Sequence, residues 1–148
     1  MSIDRMDRLR ELRGLRRSVA QKDVERARAN RADFEARVSA AQEAHQRAAH
    51  DATTRRRAAI DSLMAEPSGP LGVARMANVH AVVDGEIAEA AAEETRAKEG
   101  LAEADTELEE ARDVLAAFIR RETAMDAAID RLEGEAARAA DDAEEDEA

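Results

Sequence analysis

No cysteine occurs anywhere in the sequence, so disulfides and thiolate metal sites are excluded. Tryptophan and tyrosine are missing too, and the only aromatics are Phe34 and Phe118. A chain with so few large rings cannot fill a layered globular core or line a deep apolar catalytic pocket. Proline is confined to Pro67 and Pro70, which leaves long stretches with nothing to stop a helix. No apolar run approaches the length of a signal peptide or a membrane span, and charge begins within the first five residues. These absences lead us to expect a cytoplasmic protein with no membrane insertion, no metal and no cofactor. They also argue against an enzyme, since no nucleophile motif, glycine-rich phosphate loop or metal constellation is present.

Charge is what the chain has in abundance. Charged residues make up 39% of its 148 positions, with Ala, Glu, Arg and Leu in the proportions of long helices. The net charge of −11 is unevenly spread. Residues 1–65 hold 15 Lys/Arg against 10 Asp/Glu, a net of +5, whereas residues 73–140 hold 8 against 17, a net of −9. Opposite charge on the two halves favours pairing them with each other.

The second half carries a 4-3 ladder: Val73, Met76, His80, Val83, Ile87, Ala90, Glu94, Ala97, Leu101, Ala104, Leu108, Ala111, Leu115, Phe118, Glu122, Met125, Ile129, Leu132, Ala136 and Ala139. An apolar repeat averaging 3.5 residues keeps one seam facing a partner helix, as in a coiled coil. The first half has its own seam: Ala20, Val24, Ala27, Arg31, Phe34, Val38, Ala41, His45, Ala48, Ala52, Arg55, Ala59 and Ser62. The break between them is Pro67-Ser68-Gly69-Pro70. We therefore expect an all-α fold, a long two-helix antiparallel coiled-coil hairpin over 1–140. Ser2 would cap a helix over 3–65, a tip loop would span 66–72, and a second helix would span 73–138. Each arm would reach ~95–100 Å at 1.5 Å per residue. The acidic run 141–148 has no large apolar residue, and its like charges predict a disordered tail.

Matching the two seams makes facing residue numbers add to about 138 or 139. Val24 then faces Leu115, Phe34 faces Ala104 and Val38 faces Leu101. The polar rungs fall opposite one another, His45 against Glu94 and Arg17 against Glu122, which would let these pairs set the register. Near the termini Ile3, Met6, Leu9, Leu12, Leu15 and Val19 would face Phe118, Met125, Ile129 and Leu132. That predicts a firm base, with a softer shaft where the seam is mostly Ala and helical Gly85 and Gly100 add weakness. His45 and His50 are five residues apart and do not share a helical face as an i, i+4 metal pair does.

Two basic clusters stand out: Arg5, Arg8, Arg10, Arg13, Arg16 and Arg17 at the start, and Arg55-Arg56-Arg57 near the tip. Solvated faces pairing with the acidic helix account for both. Nucleic-acid binding is disfavoured by the net negative charge and the lack of stacking aromatics. A hairpin can also enter an enzyme channel with catalytic acids at its tip, but the segment 65–72 holds one acid, Glu66, and no pair.

The segment Leu9-Arg10-Glu11-Leu12-Arg13-Gly14-Leu15-Arg16-Arg17-Ser18-Val19-Ala20-Gln21-Lys22 resembles the basic, leucine-spaced opening of the type III secretion stalk proteins. These are the YscO/SctO family and its flagellar counterpart FliJ. The segment Ala111-Arg112-Asp113-Val114-Leu115-Ala116-Ala117-Phe118-Ile119-Arg120-Arg121-Glu122 is similar to their returning helix. The resemblance covers almost the whole chain. It implies a non-enzymatic, ATPase-associated stalk in protein transport, peripheral to the secretion apparatus. Its partners would be the type III secretion ATPase, the export gate protein and secretion chaperones. By similarity, Arg5, Arg8, Leu9, Leu12, Arg13, Arg16 and Arg17 would meet the ATPase. The alternative is a coiled-coil chaperone or scaffold whose thin Ala seam opens to hold client helices.

Overall fold

The computed structural model describes residues 3–66 and 69–147. Two helices account for nearly all of them: α1, Ile3–Ala65, and α2, Pro70–Glu147. Only Glu66 and Gly69 among the described residues are not helical, and no strand occurs among them. The fold of the described residues is all-α, built from two long helices.

Local chemistry explains the helix ends. The Glu66 N–H still donates to the Ser62 carbonyl at 3.1 Å, and the helix stops ahead of Pro67. Gly69 takes a left-handed φ of 60°, open to a residue without a Cβ. Its carbonyl accepts the Val73 N–H at 3.2 Å, so it already belongs to the first turn of α2. Pro70 therefore opens that helix, three residues before the expected start at Val73. Proline suits a first helical position, where its missing N–H would have had no partner. Ser2, Pro67, Ser68 and Ala148 lie outside the described residues, so the proposed cap and the middle of the loop do too.

The acidic run corrects a second boundary. We expected disorder from 141 onward, yet α2 continues to Glu147. Alanine and glutamate are strong helix formers, and residues 139–147 contain no glycine or proline to end the helix that enters them.

The chain divides into two compact units. One comprises Met1–Ala27 with Glu107–Ala148, and the other Arg28–Thr106. In the first, Ala20, Val24, Leu108 and Ile129 are buried; in the second, Ala52, Val83 and Ala104 are. No polar or charged residue among those described is fully buried. The core is thus a narrow line of small and medium side chains. Along α2 every rung from Met76 to Glu122 is buried or half-buried, and along α1 every rung from Ala20 to Ala52 is. Near the turn the α1 line departs from expectation. Arg56 and Leu63 are half-buried where Arg55 and Ser62 were assigned. Both phases share Ala52 and Ala59, and the observed one covers a leucine in place of a serine.

Within the unit Arg28–Thr106, glycine has a steric role. A Cβ on Gly100 would run into the ring of Phe34, whose Cζ would be 3.2 Å away. The glycine read as a weakness in the shaft is what admits the largest side chain of this unit.

Candidate partner-binding site

The start of α1 has the right composition for a partner surface, but its residues do not share one face. Continuing the α1 seam back from Ala20 by 4-3 steps leads to Arg17 and Arg13, and these arginines are half-buried. Their methylene stems can lie along apolar surface while the guanidiniums stay wet. Leu12, Leu15 and Val19 lie roughly 140–160° round the helix from Arg17. They are 52%, 64% and 58% exposed. Leu9 is at the edge of exposure, and Arg5, Arg8 and Arg16 are exposed. The expected apolar base is therefore turned outward. Leu132 and Met125 on α2, assigned to face it, are exposed as well. Ile3 and Met6 lie outside the described side chains.

Arg17 and Glu122 are brought together. The guanidinium donates to the Glu122 carboxylate at 3.1 Å, and both side chains are partly covered. Around this pair, Arg13, Arg16, Arg17, Phe118, Arg121, Glu122 and Met125 line a recess of about 170 Å³. A more polar recess beside it is lined by Arg10, Arg13, Glu122, Asp126 and Asp130. Arg121 did not figure among the sequence-derived site residues. The missed signal is a second 4-3 line on the flank of α2: Val114, Phe118, Arg121, Met125, Ala128 and Leu132.

The unit Arg28–Thr106 holds the second polar pair. His45 Nδ1 donates to Glu94 Oε2 at 2.6 Å, and Lys98 donates to the other oxygen of the same carboxylate at 2.6 Å. Chiefly through the Lys98 hydrogen bond, and then through His45, the Glu94 carboxyl is held below its usual pKa, against the opposing effect of partial burial. Arg31 donates to both Asp105 and Glu35, and the Asp105 hydrogen bond raises its pKa further. In the tip cluster, Arg55 donates to Glu86 at 2.6 Å and Arg56 donates to Asp84. Both therefore pair with acids of α2, Arg55 from an exposed position and Arg56 from a half-buried one.

No group of His, Asp or Glu among the described residues is arranged to hold a metal ion. No described helix is long and apolar enough to cross a membrane. No protein family, curated protein or solved structure matches the chain.

Proposed function

We propose that this chain is a non-enzymatic stalk and adaptor of a type III secretion apparatus. In this reading α1 and α2 pack as an antiparallel coiled coil. The end bearing residues 5–17 enters the hexameric export ATPase, and the tip end faces the export gate protein.

The observation that carries the reading is the outward set of Leu12, Leu15 and Val19 beside exposed Arg8 and Arg16. Contiguous apolar side chains left in water, with charge around them, mark a surface for another protein. Antiparallel packing is supported by the order of pairing in the unit Arg28–Thr106. Arg31, His45 and Arg55 ascend while their partners Asp105, Glu94 and Glu86 descend. The choice of a secretion ATPase as partner rests on the resemblance of 9–22 and 111–122 to the stalk proteins.

The test is to add the purified chain to the cognate export ATPase and follow oligomerisation and turnover. Stimulation of both is expected, with Arg8→Glu plus Arg16→Glu weakening binding at unchanged helicity. An ATPase indifferent to the chain would overturn the secretion reading, and undiminished binding by the double variant would overturn the basic end as its contact.

A further inference from the structure

The recess around the Arg17–Glu122 pair has more positive charge than the chain itself neutralises. Of its four arginines, only Arg17 has a carboxylate partner among the described residues; Arg13, Arg16 and Arg121 have none. The floor between them is apolar, formed by Phe118 and Met125. Along α2 the flank extends to Val114 in one direction and Leu132 in the other, 50% and 63% exposed. Along α1 it continues through Leu9, Arg13, Arg16 and buried Ala20, again at 4-3-4 spacing. Two helical flanks with coiled-coil spacing, meeting at one recess, make a groove of the kind a third helix packs into.

We propose that this groove is the seat of an acidic amphipathic helix from another protein. Its apolar residues would lie on Phe118, Met125 and Leu132. Carboxylates three or four residues apart would reach Arg13, Arg16 and Arg121. Arginine suits the role because its planar fork holds a carboxylate with two parallel hydrogen bonds. Charge selects this occupant over the others. A second copy seated with this recess on the two-fold axis would bring its arginines close to their own counterparts, and like charges across an interface are costly. An anionic membrane is a plane wider than the recess and would also press on Asp126 and Asp130 beside it, whereas a single helix meets the recess alone. The inference rests on the adaptor reading in that a protein partner is expected at this end; it adds the face and the chemistry.

The probe is a labelled synthetic helix of about four heptads, with Leu and Glu alternating at the inward positions. Its binding to the full-length chain is followed by fluorescence anisotropy. We expect saturable binding that added salt weakens. Arg121→Glu should weaken it about tenfold or more, and Leu132→Ser should also weaken it, both at unchanged helicity. Arg28→Glu, at an exposed arginine of the other unit, should leave it unchanged. Equal binding by a version with Lys in place of Glu, or by the Arg121→Glu chain, would overturn the proposal. So would a dimer of the chain alone that Arg121→Glu dissociates, or binding to phosphatidylserine vesicles without binding to the peptide. No secretion component enters this assay, so its failure is distinct from failure of the ATPase reading.

Discussion

The ring of Phe34 occupies the space where a side chain on Gly100 would stand. Helical glycine normally costs about 1 kcal/mol relative to alanine, so replacing it is usually stabilising. Gly85 fits that rule: nothing lies within 4 Å of a Cβ built there, and Gly85→Ala should raise stability by about 1 kcal/mol. Gly100→Ala should do the reverse. The added methyl must displace Phe34, and overpacking of that kind costs about 1–3 kcal/mol, more than the propensity gain. Thermal unfolding of the two variants, followed by circular dichroism, checks the opposite signs. Two stabilised proteins would show that Phe34 does not sit on Gly100.

Arg17 and Glu122 occupy opposed positions on the two helices, joined at 3.1 Å, with side chains 43% and 26% exposed. A pair this wet should couple weakly, at about 0.5–1 kcal/mol. A double-mutant cycle with Arg17→Ala and Glu122→Ala measures the coupling directly. Exchanging the two, Arg17→Glu with Glu122→Arg, should recover most of what either single reversal loses. Failure of the exchange to rescue would mean that each residue acts through other neighbours.

The helical class and most of the covered line are legible because both rest on periodicity, and the helix ends at Ala65 and Pro70 because proline and glycine follow or open them. From Ala20 to Ala52 and from Met76 to Glu122, apolar spacing and burial coincide. The start of α1 was misread because two 4-3 patterns overlap there. One carries leucines and the other Arg13 and Arg17, and hydrophobicity alone favours the leucines. Phase decides otherwise: the arginines continue the covered line through Ala20 and Val24 in unbroken 4-3 steps, which leaves the leucines outside it. The groove was illegible for a related reason. Arg121 belongs to a flank, and a flank is apparent only once it is known which residues the other helix covers. In the acidic run the like charges argue for disorder, but the helix propensity of Ala and Glu outweighs them and α2 continues to Glu147.

The outward leucines predict an unusual contrast. Leu15→Ala removes a large apolar side chain that is 64% exposed, and should change stability by no more than about 0.5 kcal/mol. Val83→Ala removes a smaller amount of hydrocarbon from a residue only 1% exposed, and should cost about 1.5–3 kcal/mol. Urea unfolding of both variants tests this. A larger loss at Leu15 than at Val83 would restore the idea of an apolar base holding the helices together.

Glu94 accepts from both His45 and Lys98, and its pKa is lowered as a result. A carboxyl depressed in the folded state contributes stability that is fully present above its ordinary pKa. That contribution is lost as pH falls through the depressed folded value. Glu94→Gln lacks the contribution at every pH. The gap in melting temperature between wild type and Glu94→Gln should therefore hold steady through the acid range down to the usual carboxylate pKa, then close below it. Lys98→Ala removes the largest cause of the shift, so the gap between Lys98→Ala and the Lys98→Ala/Glu94→Gln double variant should be smaller and close nearer the ordinary carboxylate pKa. Melting temperatures collected in steps of pH across the carboxylate range check this. A gap that widens with acidification would reverse the sign and place the favourable interaction on the protonated carboxyl.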